Sequence, residues 1–99
     1  MPRSPEALLE ALRDAVLPPR TEAALMLFHE QHGQFDRAEN ALFRLLEQMG
    51  PEGKAGVIEL GLGFYGRLEV LGEEALAAGN FSKAEVAAGR QELERRRAA

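Results

Sequence analysis

Two histidines, His29 and His32, bracket Glu30 and Gln31, and they are the only histidines in the chain. Histidine and glutamate on one helix are raw material for a metal site, so their spacing decides the chemistry. A zinc-protease helix sets its histidines four apart with Glu after the first, whereas this run reads H-E-Q-H with a spacing of three. A di-iron bundle sets Glu three residues before His, but Met26 precedes His29 at that distance and His29 precedes His32. Both ligand sets are incomplete. The two residues read as ordinary histidines near a helix end, and no metal or cofactor is assigned.

Nucleophilic chemistry has as little to work with. Ser4, Ser82 and Thr21 stand where helix caps stand, and cysteine is absent. Asp14 and Asp36 are the only aspartates, and the glutamates follow exposed helix faces, so no acid–base pair is visible. Gly61-x-Gly63-x-x-Gly66 has the outline of a phosphate loop, but no strand precedes it and no Gly-Lys-Ser/Thr follows, which leaves close helix packing. The expectation is a protein without catalytic activity.

Glu39-Asn40 carries more information. Asparagine is a poor helix-interior residue, so its amide is expected to bond a neighbouring helix near Tyr65 or to form a polar spot in a binding groove. Asn40, Glu39, Tyr65, His29 and His32 are therefore the candidate binding-surface residues. Arg90, Arg95, Arg96 and Arg97 make a basic end, read as a solvated terminus rather than a contact for RNA or an acidic partner, because the net charge is −4.

These residues must be positioned by helices. The 99 residues suffice for one domain, 1–99, and 45% of them are hydrophobic, enough for one core. Ala, Leu, Glu and Arg dominate, while Ile58 and Thr21 are the only Ile and Thr, which argues against a sheet. No apolar run approaches the ~18 residues of a membrane span, and the lack of cysteine fits a cytoplasmic protein. Ten Arg stand against two Lys; a GC-rich genome writes this bias, and heat adaptation would too.

Along the chain, Ser4-Pro5-Glu6 reads as the start of a short, loosely docked helix within residues 1–19, ended by Pro18-Pro19. Thr21 is placed as the cap of a second helix that is apolar on every side from Ala23 to Phe28, which predicts a central position. Gly33 closes it. A third helix opens at Phe35-Asp36, with Asp36 and Glu39 at capping-box spacing, and its stripe is Phe35, Ala38, Leu42, Leu45 and Met49, widened by Phe43 and Leu46. After Gly50-Pro51-Glu52-Gly53 comes a long segment, roughly Lys54 to Ala78. Val57, Phe64, Leu68, Leu71 and Ala75 share one of its faces, with Ile58 and Tyr65 beside them. Gly61 and Gly72 fall on that apolar face, where a missing side chain admits another backbone, and a bend or break is expected near Gly72. Ser82 and Glu85 form a capping box for a last helix, whose residues 94–99 read as a frayed end.

One pattern occurs twice. Gly33-Gln34-Phe35-Asp36-Arg37-Ala38 and Gly79-Asn80-Phe81-Ser82-Lys83-Ala84 both read G-x-F-x-x-A. Gly makes the turn, Phe plugs the hairpin and Ala lets the second helix lie close. Together with Leu68-x-x-Leu71-Gly72, these resemble the turns of tetratricopeptide hairpins, although the copies lie farther apart than the ~34 residues of that repeat. A second resemblance covers roughly the last two-thirds of the chain. Ala38-Glu39-Asn40-Ala41-Leu42-Phe43, Phe64-Tyr65-Gly66-Arg67-Leu68 and Asn80-Phe81-Ser82-Lys83-Ala84-Glu85 are similar, in that order, to motifs of a family of small bacterial helical proteins of unknown function. That resemblance implies a fold and no activity.

The expected fold is all-α, with four to six helices in two irregular helix–turn–helix hairpins. The expected function is a protein-interaction or adaptor module, by analogy with the grooves such hairpins build. The alternative is a small ligand- or metal-binding protein, or an enzyme, using His29, His32 and Glu39. The expected partner is another protein or a second copy, a homodimer, because several helices carry apolar residues on more than one face. Nucleic acid and membrane are not expected partners.

Overall fold

A computed structural model describes residues 18–98. The stretch read as an N-terminal helix, with Ser4 and Asp14, lies outside them. The described residues form five helices and no strand: α1 Pro19–Gln31, α2 Phe35–Gln48, α3 Pro51–Glu69, α4 Glu73–Ala78 and α5 Lys83–Ala98. The all-α expectation holds.

Helix α1 begins before Thr21. Pro18 takes the cap position and Pro19 the first helical turn, where a missing N–H costs nothing, so Thr21 lies inside the helix and caps no end. The helix is also less central than its composition implied. Met26 is fully buried, whereas Leu27 is 46% exposed. The long segment breaks as expected: α3 ends at Glu69, and Gly72 starts α4 in extended backbone. Gly72 is exposed with open space around it, so it serves the break and not close packing.

Both G-x-F turns are built alike, though not in the register of the sequence match. At the end of α1, Gly33 N–H donates to Glu30 O and Gln34 N–H to His29 O, with Gly33 at φ 69°. At the end of α4, Asn80 N–H donates to Ala77 O and Phe81 N–H to Leu76 O, with Asn80 at φ 58°. Each is the paired-bond helix stop that needs one left-handed residue, and Asn tolerates that conformation better than most side chains. The structural counterpart of Gly33 is thus Asn80. Gly79 is needed for a different reason: a Cβ there would lie 2.5 Å from the Gly33 carbonyl oxygen and 2.9 Å from Phe35 Cε2. The two turns press against each other, and Asn80 Nδ2 donates to Asp36 Oδ2 across them at 2.9 Å. Asp36 therefore faces the other turn; Gln34 holds the cap position of α2, and its side chain makes no cap bond to that helix.

From this shared end α2 and α5 run in the same direction, and α3 runs back between them. Side chains meet in successive layers. Tyr65 of α3 lies level with Glu39 of α2 and Gly89 of α5. One turn on, Gly61 receives Leu42 and Leu93, whose methyls would stand 2.9 and 2.5 Å from an added Cβ. In the next layer Ile58 joins Leu46 and Arg96. The steps of three and four residues on every helix are those that keep one face pointing at its neighbours. Gly61 performs the role expected of a glycine on an apolar face.

Candidate functional site

The five singled-out residues separate into two places. At the first layer, Tyr65 is fully buried and its hydroxyl donates to Glu39 Oε2 at 2.5 Å. The neighbour expected for Tyr65 was Asn40, but Asn40 is exposed and Glu39, one position earlier, takes the bond. A helix turns ~100° per residue, so adjacent residues cannot both face the same partner. Burial raises the Glu39 carboxyl above its ordinary range; the Tyr65 bond opposes this, and Glu85 and Asp36 add to it. Burial and the adjacent carboxylate likewise push the Tyr65 hydroxyl strongly up, so it stays a proton donor.

The histidines lie at the other place, around Phe28. His29 is buried and its Nδ1–H donates to Gln34 Oε1 at 2.8 Å. His32 is exposed, and its Nδ1–H donates to Phe28 O at 2.7 Å. The Phe28 ring lies 4.2 Å from the His32 ring and 5.5 Å from that of His29, centre to centre. Both imidazoles thus serve the end of α1. Among the described residues, no three His, Cys, Asp or Glu side chains converge as a metal site would need.

Two features escaped the sequence reading. The first is Glu22, fully buried one turn into α1, whose Oε2 accepts from Arg44 Nε of α2 at 2.8 Å while Oε1 has no partner. Its signal in the sequence was weak, because an isolated Glu before an apolar run looks like a first-turn acid. The second is an open pocket of about 260 Å³ at the end of the α2/α3/α5 trio away from the turns. Leu46 and Ile58, both buried, close its base, and Lys54, Arg95 and Arg96 line it with their aliphatic stems and positive charge.

Local sequence explains how this pocket is built. Gly50-Pro51 starts α3 so that Lys54 and Ile58 fall one turn apart on one face. Helix α5 continues through the stretch read as a frayed end. Arg95 and Arg96 share the carboxylate of Glu92, with Arg96 Nε at 2.7 Å from Oε2. Arg96 also lies over the Phe43 ring at 5.4 Å, and Arg97 reaches Glu59 of α3 at 2.9 Å. The paired arginines drive the Glu92 carboxyl down to about 2. Two arginines on one carboxylate, with Lys54 beside them, leave the rim net positive on a chain of net charge −4. No described helix is long and apolar enough to cross a membrane.

The chain matches no curated protein and no solved structure. A family model does match, over residues 8–98, which reaches well beyond the three motifs noted in the sequence. The chain belongs to DUF6483, a family of unknown function.

Proposed function

We propose that the protein is a non-catalytic interaction module of the cytoplasm that binds a protein partner at the open end of the α2/α3/α5 trio. The pocket carries this reading. Small-molecule sites enclose ~300–1,000 Å³ and bury most of their ligand. At about 260 Å³ and open to solvent, this pocket suits one anchoring side chain of a partner surface. Aliphatic stems under a charged rim suit a protein interface, where buried anchors supply affinity and the rim supplies specificity. The helix–turn–helix construction supports the reading by analogy with tetratricopeptide grooves, and the absence of cysteine suits a reducing compartment.

The test is site-specific photo-crosslinking in source cells. A photoreactive residue at Lys54, on the pocket rim, is compared with one at exposed Ala77 on α4. The expected result is a discrete protein adduct from position 54 that disappears when Arg95→Glu is added. Equal adducts from both positions, or none from 54, would refute the proposal.

A further inference from the structure

We infer that the pocket receives a second copy of this chain, through the acidic turn that carries Val70 between α3 and α4. The inference rests on the reading of the pocket as a protein-binding site. The aliphatic stems over its buried base accept one apolar side chain, and its charged rim asks for carboxylates beside that side chain.

The chain itself presents such a knob. Val70 is 83% exposed, the most exposed large apolar residue described. It is also held in place: it caps α3 at φ −87°, Leu71 N–H donates to Leu68 O at 3.0 Å, and Leu68 is buried. Valine is branched at Cβ and has few rotamers to lose, so a rigid knob forms at small entropic cost. Glu69 precedes it, Glu73 and Glu74 follow within four residues, and all three are exposed. Glu69 is shared with Arg90, while Glu73 and Glu74 form no ion pair among the described residues. Glu73 and Glu74 are thus left to meet Lys54 and the net positive charge of the two arginines that share Glu92. Leu27, the other exposed large apolar residue, lacks this setting, because nearby Glu30 is already forked by Arg67 at 2.6 and 2.8 Å.

Knob and pocket sit at opposite ends of α3. From Ile58 to Val70 the helix rise amounts to about 18 Å, so no copy fills its own pocket. The contact is between unlike surfaces, head to tail. Two copies lying side by side in opposite directions would close it into a dimer; otherwise it propagates as a ring or a chain.

The test is sedimentation velocity of the full chain across a concentration series, at low and at raised salt. The expected result is a weight-average mass that climbs with concentration and climbs less in salt, since the rim contacts are exposed and screened. Val70→Asp and Lys54→Glu should each lower the association constant about tenfold or more. Both positions are exposed, so circular dichroism should show the fold intact. The Lys54→Glu variant mixed with a Glu73→Lys variant should recover part of the association, because the carboxylate at position 54 now meets an ammonium on the knob. A chain that stays monomeric throughout, or a Val70→Asp variant that associates like the parent, would overturn the inference. In that event a labelled acidic peptide with a single central leucine separates the two levels. Binding of that peptide, lost on Lys54→Glu, keeps the interaction module and transfers its pocket to a different acidic partner; no binding removes the interaction module as well.

Discussion

Gly89→Ala should destabilise this protein, although in an ordinary exposed helix the same change stabilises. Position 89 lies in the interior of α5, where Ala is favoured over Gly by ~0.8–1.0 kcal/mol. The added Cβ would overlap the hydroxyl and ring of Tyr65, with Cε1 only 2.6 Å away. That ring is fully buried and tied to Glu39, so it has no free direction of retreat. Overpacking a core costs ~1–3 kcal/mol, and giving up a hydrogen bond to a charged group costs ~1.5–3 kcal/mol. Set against the gain in propensity, the net loss is about 2–5 kcal/mol, which at ~1–3 kcal/mol per M lowers the urea midpoint by roughly 1–5 M. Urea denaturation followed by circular dichroism measures it. The decisive control is the Tyr65→Leu background. With the ring removed, Gly89→Ala should regain its intrinsic advantage and raise the midpoint relative to Tyr65→Leu alone, so the sign of the substitution reverses. If Gly89→Ala stabilises the parent chain, or costs the same in both backgrounds, the Tyr65–Gly89 contact is wrong.

Burial raises the Glu39 carboxyl above its ordinary 4.5, so its contribution to stability is fully present below that value and is lost as pH rises through the raised one. Glu39→Gln keeps an acceptor for Tyr65 and has no such titration; its stability relative to the parent should therefore increase as pH rises from 4.5 through the raised value, and parallel pH–stability curves would contradict this. Phe35→Ala and Phe81→Ala, which empty the two turns, should each cost ~3–5 kcal/mol by thermal or urea unfolding, because both rings are buried. Ser82 Oγ accepts from Glu85 N–H at 3.1 Å, so Ser82→Ala should cost ~1 kcal/mol and Ser82→Asp almost nothing, and equal losses would assign Ser82 another role. Arg44→Met leaves the Glu22 carboxylate buried without its counter-charge and should cost about 3 kcal/mol, at the low end for a buried pair because Arg44 is 31% exposed; adding Glu22→Leu should recover most of that in the same assay.

What the sequence determined on its own was local. Helix formers, the glycine and proline breaks and the period of the apolar residues depend on neighbours within a few positions. They placed the third helix, the break at Gly72, the Ser82 cap, the buried Phe35 and Phe81, and Gly61 as a packing notch. Glu39 and Tyr65 were legible as polar residues with a role, but Asn40 was taken for the partner because one step along a helix, invisible in the text, is ~100° in space. Tertiary structure decided everything that joins distant segments. Only the meeting of the two turns explains why Gly79 must be glycine while Asn80 takes the left-handed position of Gly33. Gly89 drew no notice in the sequence, because its reason is a tyrosine two helices earlier in the chain. Glu22 could be recognised as a buried charge only once Arg44 was known to face it. The pocket is the extreme case: its lining comes from α2, α3 and α5, and each residue alone is an ordinary apolar or exposed basic side chain. A concavity has no sequence signature, since it is made of where packing stops.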